Sequence, residues 1–146
     1  LAAIRETFEE TGLVLGKPVR DAMSSKHEDW AAYFAQGVAP ALGRLDFVAR
    51  AITPPYRTRR FDTRFFIADA EHIQGDPLAV AGSGELQGLH WLTLADARDL
   101  DLPNITRVVL DEIEERLTQN RAAQARRPVP FIHFRNGSAI RDEIKD

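Results

Sequence analysis

The pattern of hydrophobic and polar positions in the first third of the chain predicts two helices with a strand between them. Residues 1–11 contain good helix formers and no proline, and Gly12 follows them, which predicts a helix that ends at this glycine. Residues 13–19 are short and apolar and predict a strand. Three aromatic residues then recur at helical spacing, which predicts a short helix over residues 29–36 that covers the core.

Strand-like patterns follow in the middle of the chain. Residues 45–53 are largely apolar and end at the Pro54-Pro55 pair, which predicts a strand that the prolines terminate. Residues 61–68 alternate with the period of two that is typical of a strand. Residues 69–88 contain four glycines and a proline and are predicted to be mostly turn, with another short strand over residues 89–92.

The last third predicts two helices before a final strand. Thr93, with Asp96 three residues later, resembles a capping box and predicts a short helix, and Asn104 is the predicted N-cap of a helix that runs to about residue 119. The remaining segments are predicted to be a basic linker, an edge strand and a frayed tail, over residues 121–127, 130–134 and 142–146. Helices and strands mix without a regular βαβ alternation, so the predicted class is α+β.

Composition narrows the function classes. The 146 residues suit a single domain over residues 1–146, and the net charge of −3 argues against a general nucleic-acid binder. The chain has no cysteine, which excludes disulfides, thiolate zinc sites and a cysteine nucleophile, and suits the cytoplasm. No apolar run approaches the roughly 18 residues that a membrane span needs.

Three glutamates in the first helix carry the candidate chemistry. Glu6, Glu9 and Glu10 stand at i, i+3 and i+4, so a helix places them together on what we call the carboxylate face. Like charges at this spacing repel by about 0.2–0.5 kcal/mol per pair, and the helix dipole disfavours anions near Gly12. A divalent cation such as Mg²⁺ would reverse both penalties. The alternative is a solvated acidic surface that Arg5 partly neutralises.

The run Arg5-Glu6-Thr7-Phe8-Glu9-Glu10-Thr11-Gly12-Leu13 resembles the second half of the Nudix box. That family pattern is a glycine, five residues, a glutamate, seven residues and then Arg-Glu-U-x-Glu-Glu-x-Gly-U, where U is aliphatic. Thr7 departs from the pattern, because an aliphatic residue usually stands there. The positions that match are Arg5, Glu6, Glu9, Glu10, Gly12 and Leu13.

The resemblance implies a Nudix fold, in which a mixed sheet lies between helices and further strands precede Leu1 in the chain. It also implies Mg²⁺ or Mn²⁺ as cofactor. Glu9 and Glu10 would be metal ligands, and Glu6 a third ligand or the base that acts on water. Arg5 would orient one of the glutamates through an ion pair. The glycine and the first glutamate of the pattern would also precede Leu1.

A second acidic residue belongs to the same resemblance. Glu85 lies six residues before Trp91, much as a glutamate precedes a tryptophan-containing strand in many Nudix proteins. In several members such a glutamate completes the metal site or acts as the base, which makes Glu85 a catalytic candidate. The alternative is that Glu85 is an ordinary loop residue. Trp91 itself is expected in the core.

An arginine-rich stretch, which we call the arginine segment (residues 57–64), resembles the coenzyme A diphosphatase-like subgroup. The similarity extends from Ile52-Thr53-Pro54-Pro55 to Phe66. Arginine provides planar donors that suit phosphate oxygens, so Arg59, Arg60 and Arg64 are candidate substrate-binding residues. An ion pair between Arg64 and Asp62 is the structural alternative, and Arg59 could equally be loop surface.

These observations together predict an Mg²⁺-dependent hydrolase. It would cleave a diphosphate bond in a nucleoside diphosphate that is linked to another moiety, either a coenzyme A-like compound or ADP-ribose and related sugar nucleotides. The expected partner is this small molecule, without a membrane or general nucleic-acid contact, and a homodimer is allowed. The alternatives are a Nudix-like module that senses a nucleotide without cleaving it, and an acidic interaction domain.

Overall fold

The computed structural model describes residues 1–21, 23–77 and 89–144. They belong to two compact units, one made of residues 1–46 and 68–91 and the other of residues 47–67 and 92–146. Both units combine helices with sheets, so the α+β class is confirmed. The Nudix fold and the single domain over residues 1–146 stay predictions.

Five helices and seven strands are present in the described residues. The helices are α1 (Ala2–Thr11), α2 (Ala31–Phe34), α3 (Leu94–Arg98), α4 (Asn104–Leu117) and α5 (Arg121–Arg126). The strands are β1 (Val14–Pro18), β2 (Val38–Pro40), β3 (Asp46–Ile52), β4 (Asp62–Ile67), β5 (Ile73–Gln74), β6 (Val129–Arg135) and β7 (Ser138–Ile144). Short 3-10 turns occupy Glu28–Trp30, Leu42–Arg44 and Ala70–His72.

The first unit is built around a three-stranded sheet. Its strand order is β2-β1-β5, and both outer strands run antiparallel to β1. Helix α1 packs against β1. The short strand β5 falls in the stretch that the sequence predicted to be mostly turn. The sequence pattern missed it because a two-residue strand has no period to detect. The buried core of this unit consists of Ile4, Val14, Leu15, Tyr33, Val38 and Ala41.

Tyr33 lies at the centre of that core with no exposed surface. Its hydroxyl donates a hydrogen bond to the backbone oxygen of Leu15 at 2.8 Å. The rings of Phe8 and Trp30 meet it edge to face, with centroids 5.5 and 5.3 Å away. Gly16 provides the space: a Cβ there would lie 2.8 Å from the Val38 side chain and 2.9 Å from the Tyr33 hydroxyl oxygen.

The second unit contains a four-stranded mixed sheet of order β4-β3-β6-β7. Strand β3 pairs with β6 in parallel, and β6 pairs with β7 in an antiparallel hairpin. The predicted edge strand over residues 130–134 is therefore an interior strand, flanked on both sides. Asn136 and Gly137 form the hairpin turn with φ of 51° and 81°, which is the conformation that Asn-Gly favours in two-residue turns.

Helix α4 begins differently from the prediction. Pro103, not Asn104, occupies the N-cap position, and Asn104 is already the first helical residue without a side-chain cap. The sequence predicts an apolar stripe of Ile105, Val108, Val109, Ile113 and Leu117 along this helix. The stripe is only partly correct, because Val109 is buried but Leu117 is 59% exposed. The residues that the helix buries besides Val109 are charged, which the stripe did not predict: Glu112 and Arg116.

A buried carboxylate joins three arginines in this unit. Glu112 is 2% exposed and accepts hydrogen bonds from Arg116 at 2.9 Å, Arg127 at 2.6 Å and Arg141 at 2.9 Å. Arg127 also pairs with Glu115. Burial by itself would raise the pKa of Glu112, but the hydrogen bond from Arg127 and the other guanidinium groups lower the pKa below its ordinary value.

Four further predictions about local structure change. Residues 121–127 are not a linker, because α5 forms there with Asn120 as a side-chain cap. Residues 89–92 do not form a strand. Trp91 is 53% exposed instead of being a core residue, and its indole N–H donates to the Pro77 oxygen at 3.2 Å. The predicted frayed tail is in β7 as far as Ile144, and residues 145–146 lie outside the described range.

Candidate functional site

Helix α1 places the candidate carboxylates on its outer side. The helix ends as predicted, with Gly12 in the left-handed conformation at φ 76° and its N–H donating to the Phe8 oxygen at 2.8 Å. Ile4 points into the core and is fully buried, and Phe8 packs against the same core. The helix therefore buries one apolar face and leaves the carboxylate face exposed to solvent.

Arg5 lies between two of the three glutamates. Its Nη1 donates to Glu9 Oε2 at 2.6 Å, and its Nη2 donates to Glu6 Oε1 at 3.4 Å. The side chains of Glu6 and Glu9 keep 57% and 39% of their surface exposed. Glu10 is exposed too, and the described part of the chain offers its carboxylate no hydrogen bond or ion pair. The ion pair that the resemblance implies for Arg5 is thus present with Glu9.

The glutamates of the carboxylate face stabilise the charged form of Arg5. The hydrogen bond with Glu9 raises the pKa of Arg5 above its ordinary value. The guanidinium therefore stays protonated at any physiological pH and offsets part of the repulsion within the carboxylate face. Because the Glu6 and Glu9 carboxylates remain in contact with solvent, their ion pairs with Arg5 are screened and contribute little to stability.

The donor chemistry suits a hard cation, but the described side chains do not form a complete site. Carboxylate oxygens are the ligands that Mg²⁺ and Mn²⁺ prefer. Over residues 1–21, 23–77 and 89–144, however, no three His, Asp or Glu side chains are grouped so that they could hold a metal ion. Glu9 forms an ion pair with Arg5 at 2.6 Å. Glu85, the fourth candidate, lies outside the described residues.

The arginine segment lies in the second unit, on and before β4. Arg60 is anchored through its Nε, which donates to the Thr53 backbone oxygen at 3.2 Å. Arg59 and Arg64 are exposed, and the described residues provide neither guanidinium with a side-chain hydrogen bond or an ion pair. These two arginines can therefore bind an anion without first breaking a described contact, whereas Arg60 has a structural contact to keep.

The expected ion pair between Arg64 and Asp62 is replaced by another pair. Asp62 accepts two hydrogen bonds from Arg50 of β3, to Nε at 2.7 Å and to Nη2 at 2.5 Å. The bond with Arg50 lowers the pKa of Asp62, and Arg64 adds only a weaker attraction. Asp62 pairs with Arg50 because Arg50 lies on the neighbouring strand β3, where its side chain reaches the carboxylate.

Arg50 is a residue that the sequence patterns did not single out. Its guanidinium also lies 4.6 Å from the centroid of the Phe131 ring, where a cation and an aromatic face attract each other. The available signal was that Arg50 interrupts an otherwise apolar strand. Through its ion pair with Asp62 and its contact with the Phe131 ring, Arg50 links β3 to β4 and to β6.

The predicted residues therefore form two groups. Arg5, Glu6, Glu9 and Glu10 belong to α1 in the first unit, and the arginine segment belongs to the second unit. Within its unit, the first group combines hard anionic ligands with one cation. In the second group, Arg59 and Arg64 have guanidinium groups that are unpaired within the described residues and suit phosphate oxygens.

Comparisons with known proteins identify no relative. No family model matches the chain, and neither a curated protein nor a solved structure matches it. Within the described residues, no helix has both the length and the apolar character that crossing a membrane requires.

Proposed function

We propose that this protein is a Nudix-type hydrolase that cleaves a diphosphate bond in a nucleoside diphosphate linked to another moiety. The observation that supports this most is the carboxylate face of α1. Its three glutamates are solvent-exposed at the spacing of the Nudix box, and Arg5 is paired with Glu9. A coenzyme A-like compound is the first candidate substrate, and ADP-ribose or a related sugar nucleotide is the second.

In this proposal the four candidate residues of α1 act as base, metal ligands and positioning residue. Water attacks one phosphorus, the bond from that phosphorus to the bridging oxygen breaks, and a carboxylate accepts the proton of the water. Glu6 or Glu85 would accept this proton. Glu9 and Glu10 would hold Mg²⁺ or Mn²⁺, which neutralises the charge that develops on the phosphate oxygens. Arg5 would keep Glu9 in its orientation through the 2.6 Å hydrogen bond.

The arginine segment would bind the phosphates of the substrate. Arg59 and Arg64 have unpaired guanidinium groups within the described structure, and a guanidinium can donate two parallel hydrogen bonds to one phosphate. Arg60 would contribute mainly by positioning, since its Nε already donates to Thr53. The lack of cysteine supports a reducing compartment, for which we propose the cytoplasm.

A non-catalytic nucleotide-sensing module is the second candidate. One observation favours it: the described carboxylates do not group into a three-ligand metal site. A module of this kind needs the arginine segment but does not need the exposed glutamates. The repulsion within the carboxylate face argues against it, because a binder gains nothing from that repulsion.

Hydrolysis of a nucleotide panel distinguishes the two candidates. The panel contains coenzyme A, ADP-ribose and a sugar nucleotide, each incubated with and without Mg²⁺ or Mn²⁺. We expect metal-dependent turnover that falls by about 10²–10⁴-fold in Glu6→Gln, if Glu6 is the base, and falls strongly in Glu9→Gln and Glu10→Gln. Glu28→Gln is the matched control, because Glu28 is an exposed acid of the same unit outside α1.

The result that would overturn the catalytic proposal is equally direct. If no substrate is turned over with either metal, or if Glu9→Gln and Glu10→Gln act as fast as Glu28→Gln, the carboxylate face is not an active site. Nucleotide binding that persists without turnover, and that Arg59→Gln and Arg64→Gln weaken, would support the sensing module instead.

A further inference from the structure

A cavity of about 650 Å³ lies entirely within the second unit. Strands β3, β4, β6 and β7 and the beginning of α4 provide its walls. Its lining is mostly apolar, and the largest apolar side chains keep part of their surface exposed. These side chains are Ile52, Phe65, Ile105, Val108, Ile132 and Phe134. The volume falls in the range of about 300–1,000 Å³ that is typical of small-molecule sites.

A tight turn places an aromatic ring and a cation in the wall of this cavity. The N–H of Arg57 donates to the Pro54 oxygen at 3.1 Å, which closes the turn after β3. Tyr56 is 69% exposed, and its ring meets the Phe134 ring edge to face at 6.2 Å. The guanidinium carbon of Arg57 lies 6.0 Å from the centroid of the Tyr56 ring. Pro54 and Pro55 restrict the backbone of this turn.

The charge of Arg57 is not balanced within the described residues. Its guanidinium has neither a hydrogen bond nor an ion pair there, whereas Arg50 pairs with Asp62 and Arg98 pairs with Asp111. None of the described residues that line the cavity is acidic. An anion that enters the cavity therefore meets an unpaired cation and no opposing carboxylate in the lining.

Among the described residues that line the cavity, few side chains can form hydrogen bonds. Thr53 uses its hydroxyl to accept from the N–H of Phe61 at 3.0 Å. Thr63 and Asn104 are the other uncharged polar residues in the lining apart from Tyr56. A nucleobase or a peptide would leave most of its polar groups unsatisfied against such walls, which costs free energy. A hydrocarbon body would not.

We propose that this cavity binds an anionic amphiphile, with an apolar chain or ring in the cavity and a single carboxylate, sulfate or phosphate group on Arg57. The apolar body would cover the partly exposed side chains of the lining, and the anionic group would form an ion pair with Arg57. None of the four α1 residues lines this cavity, so the site is distinct from the proposed metal site, although Arg57 belongs to the arginine segment.

Decanoate is a suitable probe because it combines an apolar chain with one carboxylate. Binding would be measured by calorimetry and by amide chemical shifts, against decan-1-ol and decyltrimethylammonium, which share the chain but lack the anion. We expect decanoate to bind most tightly and to shift amides in residues 52–57, 102–108 and 132–139. Inorganic phosphate, an anion without a chain, should bind weakly or not at all.

Three variants divide the two parts of the proposed site. Arg57→Gln should weaken decanoate binding by about tenfold or more, while leaving decan-1-ol unaffected. Ala139→Phe adds a ring to the lining from an exposed position of β7 and should reduce binding of both compounds. Arg121→Gln removes the same charge from an exposed position outside the lining and should change neither.

The proposal is wrong if decanoate and decan-1-ol bind equally to the protein and to Arg57→Gln, or if the shifted amides lie outside the cavity. It is also wrong if Arg121→Gln and Arg57→Gln weaken binding alike, because the effect is then one of net charge. Glu9→Gln separates this site from the hydrolytic one, since that variant should lose turnover and keep decanoate affinity.

Discussion

The two compact units bury different kinds of side chain at their centres. The first unit closes around the fully buried Tyr33, whose hydroxyl has one backbone partner and whose ring is enclosed by other apolar residues. The second unit buries small apolar residues of β3 together with Glu112 and Arg116. One interior is held mainly by packing, and the other depends on a charge network as well.

This difference affects how each interior responds to change. An apolar core loses stability when its volume is altered, since interiors are packed about as densely as organic crystals. A buried charge network tolerates its desolvation cost only while every partner is in place. The first unit should therefore be sensitive to added atoms, and the second to the loss of one charge or to a change in pH.

The largest expected effect is the loss of the Glu112 carboxylate. Glu112→Ala leaves Arg116, which is 5% exposed, without its carboxylate, so the free energy of unfolding should fall by about 3–5 kcal/mol. Urea unfolding followed by circular dichroism measures it. Glu114→Ala is the control, because Glu114 pairs with Arg98 at the surface and should cost only about 0–1 kcal/mol. Equal losses in the two variants would contradict the idea of a charge-dependent interior.

A smaller loss is expected from one added methyl group in the first unit. Gly16→Ala places a Cβ within 2.9 Å of Val38 and the Tyr33 hydroxyl, and overpacking of this kind costs about 1–3 kcal/mol. Thermal unfolding would detect it. Gly43→Ala is the matched control, since a Cβ there meets nothing within 4 Å. A wild-type melting temperature for Gly16→Ala would show that this interior is loosely packed.

The pH dependence should separate the two interiors most finely. The pKa of Glu112 is lowered in the folded state, so its contribution is fully present above its unfolded pKa of about 4.3 and is lost as pH falls through the folded value. Burial raises the pKa of Tyr33 from 10.0 to about 12. Its contribution is present below pH 10 and is lost as pH rises towards 12.

Unfolding free energies across the pH range would measure both effects. Glu112→Gln should flatten the acid limb and leave the alkaline limb, and Tyr33→Phe should do the reverse. If Glu112→Gln keeps the acid limb, or Tyr33→Phe keeps the alkaline limb, that side chain is not the source of the pH dependence and the comparison of the two interiors is wrong.

Local sequence signals predicted the elements with self-contained patterns. The glycine stop at Gly12 and the Thr93 capping box are both present, with Thr93 accepting from the Asp96 N–H at 3.1 Å. The turn at Asn136 and Gly137 had an equally local signal, since Asn-Gly favours two-residue hairpins. Reading it would have shown that residues 130–134 belong to a hairpin.

Nonlocal contacts decided the rest. Asp62 pairs with Arg50, 12 positions away in the chain, instead of with the nearby Arg64, because neighbouring strands bring the first two together. Glu112 resembles any exposed helical glutamate in the sequence, and only the approach of Arg127 and Arg141 makes its burial tolerable. Such partners have no fixed spacing, so a local pattern cannot reveal them.

The sequence by itself determined where α1 ends and which residues share its outer face, because helix periodicity and C-terminal capping act within a few residues. It also determined the resemblance on which the hydrolytic proposal depends. Only the tertiary structure decided that Arg127 and Arg141 reach Glu112, and that an apolar cavity forms beside Arg57. Side-chain partners and cavities depend on how distant segments pack, and packing is a property of the folded chain.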